Sequence, residues 1–142
     1  MAKKMRLLAI ENGDIEIISA ACQDGLFLAK DAQYLPKSRR FTIAFNRYVW
    51  ENETKGAGQR VPCVISFESV LAVKAKGINP NSEIPLSILN ISFIADDEPP
   101  SGKIKIALAN DYEILLEAEC IDIALADIGE ARDAIKRPDH GA

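Results

Sequence analysis

The chain has 142 residues, enough for one domain around one hydrophobic core and too few to favour two. Apolar residues make up 48% and charged residues 27%, an ordinary globular composition, and no apolar run approaches the ~20 residues that span a bilayer, so no membrane partner is expected. The net charge of −4 is split into +4 over residues 1–76 and −8 over residues 77–142, but a molecule acidic as a whole attracts phosphate weakly at long range, which argues against nucleic acid as partner.

Met5–Ile10 (MRLLAI) reads as a short strand. The apolar stretch behind the two lysines is only five residues long with no small-residue cleavage site after it, so it is not a secretory signal and the cytoplasm is the expected location. In ENGDIEIISAACQDG, Asn12 or Asp14 can cap a helix whose apolar face is Ile15, Ile18 and Cys22, and which stops before Gly25. From there the period is two. Leu26 to Tyr34 reads as a strand ended by Leu35-Pro36. In Arg39–Val49, Phe41, Ile43 and Phe45 face one way and Arg40, Thr42, Ala44 and Asn46 the other.

ENETKGAGQR reads as an exposed loop, then Val61–Phe67 alternates again, Glu68-Ser69 allows a bend, and Val70–Ala75 continues. GINPNSE is a turn. Leu86 and Ile88, then Ile91 and Phe93, switch parity near Leu89-Asn90, which predicts a bulge. DDEPPSG is a second loop. KIKIALA and EILLEAE alternate on either side of Asn110-Asp111, whose side chains tolerate left-handed turn geometry. CIDIALADIGEAR places Ile121, Ala124, Leu125 and Ile128 at helical spacing, and a frayed tail follows from about 134.

These elements predict a single α+β domain over residues 1–142: an antiparallel, strongly curved sheet or partial barrel with an N-terminal helix and a C-terminal capping helix. The element order resembles the pleckstrin-homology superfold, an analogy that implies no ligand. The competing architecture is two layers, one antiparallel sheet covered by both helices.

Chemistry-bearing residues are sparse. The only histidine, His140, lies in the tail, where it cannot be held against a substrate. Cys22, Cys63 and Cys120 are widely spaced among apolar neighbours, which fits small core residues rather than a disulfide framework or a zinc site. No P-loop and no Gly-x-Ser-x-Gly elbow is present, and Gly56-Ala57-Gly58 reads as a flexible link. Asp96, Asp97 and Glu98 read as a solvated loop, though three acids in a row can hold a hard cation. Glu117 and Glu119 share one strand face as solubilising charges. No cofactor and no metal is expected.

SRRFTIAFNRYVWENE, residues 38–53, holds four of the nine aromatic residues. Tyr48 and Trp50 share a face with Arg40, Thr42 and Asn46, Arg47 breaks the alternation on the side of Phe41, Ile43 and Phe45, and Lys37, Arg39 and Arg60 lie nearby if residues 39–49 and 61–67 pair. Rings beside guanidinium groups can stack a planar or anionic ligand. A bulge near Asn46-Arg47, or a helix over this face, would instead make the same residues architecture.

ISAACQD, YLPKSRRF, FNRYVWE and LLEAECIDIALADIGE, in that order, resemble a bacterial family of small proteins catalogued as a domain of unknown function, number 2948. The resemblance implies a stand-alone cytosolic protein of this size and supplies no activity, cofactor or site residue. The expected function is a non-enzymatic binding or interaction module using Arg39, Arg40, Arg47, Tyr48, Trp50 and Arg60, with a protein partner, a second copy or an anionic small molecule as ligand. The alternatives are a carboxylate-based enzyme acting on a small anionic substrate, and single-stranded RNA binding.

Overall fold

A computed structural model describes residues 4–49 and 58–133. Strand β1 (Arg6–Ala9) leads into α1 (Asn12–Cys22). The helix opens after Glu11 because the Asp14 carboxylate reaches back to accept the amides of Ile10 at 3.1 Å and Glu11 at 3.2 Å. Those donors otherwise have no partner at a helix start. Ile15, Ile18 and Cys22 are buried as their spacing requires, joined by Ser19. Beyond Cys22, Asp24 takes a left-handed φ of 68°, and Gly25 lies so close to the Phe45 ring that a Cβ would stand 2.5 Å from it.

The run from Leu26 to Tyr34 is not one strand. β2 (Leu26–Phe27) and β3 (Ala32–Leu35) flank a 3-10 turn at Ala29–Asp31, where the Asp31 carboxylate accepts the Leu28 amide at 3.2 Å. An aspartate that bonds nearby backbone competes with the ladder, and here the local bond prevails.

β4 (Arg40–Val49) and β5 (Gln59–Phe67) pair without a register break from Phe41–Phe67 to Val49–Gln59. Phe41, Ile43 and Phe45 point inward with Cys63, Ile65 and Phe67, all buried. Glu68-Ser69 turns the chain into β6 (Val70–Lys76). β7 (Leu86–Ala95) carries the expected parity switch, its register slipping between Ile88 and Asn90. Ser19 of the helix anchors that bulge, accepting the Ile91 amide and donating to Asn90 Oδ1, both at 2.9 Å. β8 (Gly102–Leu108) and β9 (Glu113–Ala118) form the expected hairpin, with Asn110 and Asp111 at φ 67° and 62°.

The C-terminal helix expected from CIDIALADIGEAR is replaced by strand β10 (Ile123–Asp127), with β11 (Arg132–Asp133) after it. β10 lies between β1 and β5, so both of its backbone edges find partners. Two-sided pairing, with Ile123 and Leu125 buried, outweighs the modest helix preference of its alanines and leucine. Among the described residues α1 is therefore the one α-helix.

Strand order is β1-β10-β5-β4-β2-β7-β8-β9-β6, with β3 on β4 and β11 on β5. β1 and β6 each have a strand partner on one side only, so the expected strongly curved sheet or partial barrel is corrected to an open, mostly antiparallel sheet with, among the described residues, one α-helix. The short Glu68-Ser69 link joins β5, near one end of that order, to β6 at the other. It is sewn by the Val70 amide to the Arg39 carbonyl at 2.8 Å and the Glu119 amide to the Ser69 carbonyl at 2.9 Å. Both halves of the sheet and α1 contribute to one hydrophobic cluster.

Candidate functional site

Of the six residues singled out from sequence, the five that are described fall at two ends of the β4–β5 pair. Arg40 and Arg47 stand seven residues apart on one extended strand, about 23 Å at 3.3 Å per residue. At the near end, Arg39 pairs with Glu119 and Arg40 with Glu68, each at 2.6 Å with substantial solvent exposure. Exposed pairs of this kind contribute little, about 0–1 kcal/mol.

At the far end the arginine is half-buried, its side chain 14% exposed. Arg47 lies on the inward face with Phe45 and reaches past β5 to Asp127 of β10, Nε to Oδ1 at 2.8 Å and Nη2 to Oδ2 at 2.9 Å. The Cys63 thiol donates to Asp127 Oδ1 at 3.0 Å, and the Met5 amide to Oδ2 at 2.8 Å. Burial alone pushes the Asp127 carboxyl up, but the Arg47 bonds, the thiol and the amide outweigh it and hold the pKa at about 2. The same surroundings push both inner thiols up, Cys22 to about 12 through burial and Cys63 through burial and its bond to Asp127. These thiols stay protonated and unreactive near neutrality, as core cysteines do.

Tyr48 faces away from Phe45 on β4, opposite Arg60 of β5. It was expected on an outward face beside guanidinium groups. It is only 3% exposed, with the Arg60 guanidinium 5.2 Å from its ring centre. Its phenol lies so near Gly58 that a Cβ there would meet Oη at 2.5 Å. Arg60 donates through Nη1 to the carbonyls of Asp24 at 2.8 Å and Asn46 at 3.1 Å. Its pKa is lowered by burial, against the pull of Asp24 and Tyr48. No bulge causes this burial, because the β4–β5 register is continuous. Trp50, Gly56, Ala57 and His140 lie outside the described residues.

The acidic loop is spent on itself. Asp96 accepts the Glu98 amide and the Ser101 hydroxyl, both at 2.8 Å, and those bonds lower its pKa, the Glu98 amide first. Among the described residues no three His, Cys, Asp or Glu side chains gather as metal ligands. No helix among them is long and apolar enough to cross a membrane.

Register exposes a surface that the sequence reading missed. Two rows cross the outer face of β1-β10-β5-β4: Arg6–Ala126–Val64–Ala44, and Leu8–Ala124–Ser66–Thr42, the second running on to Gln33 of β3. The floor formed by β10, β5 and β4 is small and uncharged. Leu8 stands 72% exposed on one side, and Ile128, beyond the end of β10, is 56% exposed. Charge is confined to the margin, with Lys4, Arg6 and Arg60 towards one end of the strands and Asp122 and the Arg40–Glu68 pair towards the other. The period-two run I-D-I-A-L-A-D-I over 121–128 was the signal for this face, and the helical spacing of Ile121, Ala124, Leu125 and Ile128 hid it.

No curated protein and no solved structure matches the chain. One family model, described as "Protein of unknown function (DUF2948)", matches residues 5–140, nearly the whole chain, and the protein belongs to that family.

Proposed function

We propose that the protein is a non-enzymatic interaction module that pairs reversibly with a second copy of itself through the outer face of β1-β10-β5-β4. One observation carries this reading: a sheet face with half-buried Ala44, Val64, Ala124 and Ala126 as its floor and, among the described residues, charge only at its margin. Soluble domains blunt an open antiparallel face with polar alternation. Here the outward positions of β10 are alanines.

Size and charge favour a second copy as occupant. Four strands about 4.8 Å apart and four outward positions along each, counting Lys4 and Ile10 beside β1 and Asp122 and Ile128 beside β10, give a face on the order of 500 Å². That is the scale of a weak, reversible association, below the roughly 800 Å² per partner of a standard interface. A twofold axis lying across the strands sets the Lys4 and Arg6 end of one copy over the Asp122 end of the other, so the margin complements itself. The protein would act in the cytoplasm, where Cys22 and Cys63 remain reduced. Arg47, Tyr48 and Arg60 then serve as a frame that braces β4 and β5.

Sedimentation velocity on the full chain tests this. The expected result is a monomer–dimer equilibrium with a dissociation constant in the micromolar range, abolished by Ala124→Glu while the melting temperature of the monomer is kept. A chain that stays monomeric up to millimolar concentration, or a dimer indifferent to both Ala124→Glu and Leu8→Lys, removes the reading.

A further inference from the structure

We propose that the cleft between the β6–β7 connection and the β8–β9 turn binds a small, uncharged molecule with a ring-sized apolar body. This cleft is separate from the outer sheet face and does not depend on the pairing of copies. Its volume is about 350 Å³. That is within the range of small-molecule sites, at its lower end.

The lining decides the class of ligand. The floor is apolar, with Leu86 buried and Ile78 and the Tyr112 ring packed against the core. Ile84, 74% exposed, stands at the mouth beside Pro85. No carboxylate, ammonium or guanidinium group lines the cleft. A charged ligand would give up its hydration there without gaining a partner, whereas a neutral one loses little.

Three polar groups remain to orient the ligand. Among the described residues, the Ser87 hydroxyl, the Asn110 amide and the Tyr112 phenol make no side-chain hydrogen bond within the protein. The other polar side chains of the lining are engaged in shaping the wall: Asn79 Oδ1 accepts the Asn81 amide at 2.9 Å, and Ser82 Oγ accepts the Ile84 amide at 3.1 Å.

The walls are set before any ligand arrives. Gly77, at φ 81°, lets the Tyr112 ring approach so closely that a Cβ would stand 2.5 Å from it. Asn110 holds a left-handed φ of 67° on the opposite wall. A site whose wall is already fixed spends little of its binding energy on ordering itself.

The test is an amide-shift titration of the ¹⁵N-labelled full chain with indole as the neutral probe, alongside indole-3-acetate and tryptamine as anionic and cationic counterparts. Indole is expected to produce saturable shifts confined to residues 77–79, 84–87 and 109–112, with the two charged probes at least about tenfold weaker. Ser87→Phe, which fills the cleft, is expected to abolish the shifts. Asn110→Gly keeps the turn and removes the amide, so it should weaken binding while leaving the rest of the spectrum unchanged. Indole shifts that are absent or lie elsewhere overturn the proposal. So does equal binding of all three probes, or indole binding that survives in both variants.

Discussion

Arg47 and Asp127 bring two formal charges into the edge of the core, and the cost of that shows in what happens when one is removed. Arg47→Met leaves the Asp127 carboxylate buried with only a thiol and an amide for company. We expect a loss of about 3–5 kcal/mol in urea unfolding, most of it recovered when Asp127→Leu is added, because the penalty belongs to the orphaned charge. The pair also fixes the direction of acid sensitivity. Asp127 titrates at about 2 in the folded protein and near 3.9 unfolded. The unfolded chain therefore binds the proton more readily, and this contribution is complete above about pH 4 and is lost as pH falls towards 2, on the order of 2 kcal/mol in all. Urea midpoints between pH 2 and 6 should show that slope in the wild type and a flatter one in Asp127→Asn. An unchanged slope would mean that other carboxylates dominate acid unfolding.

At the level of elements, local chemistry and long-range pairing divide the credit. The β8–β9 hairpin was written locally: Asn110 and Asp111 are residue types that accept positive φ, and both do so. Asn110→Val should therefore lower stability by about 1–2 kcal/mol, the cost of a left-handed β-branched residue. Asn110→Gly should be close to neutral, and thermal melts followed by circular dichroism would distinguish the two. The helix face of Ile15, Ile18 and Cys22 and the bulge beside Asn90 were equally legible, each from a period or a break in one. β10 was not. Its sequence satisfies both periods, and the deciding factor is that β1 and β5, distant in sequence, leave a gap only a strand can fill. Tyr48 escaped for a related reason. Alternation puts it on the outward face of β4, and only the fold brings Arg60 and Gly58 over it. The outer sheet face was hidden as well, because the period-two run over 121–128 that marks it in β10 also fits helical spacing.

For the whole molecule, pairing of copies ties stability to concentration. If the outer face closes against a second chain, the melting temperature should rise with protein concentration in the wild type and stay flat in Ala124→Glu. Differential scanning calorimetry across a hundredfold range of concentration reads this directly, and a flat wild-type series would count against association.

The position of β10 also sets an order of events at the ribosome. The slot between β1 and β5 is filled by residues that emerge more than a hundred positions after β1. Until about residue 127 has left the exit tunnel, the first strand has no neighbour in the sheet and the long β5 keeps a raw edge. A nascent chain in that condition exposes what other strands can join. Emergence of β10, rather than of any earlier strand, is the point at which this part of the sheet seals.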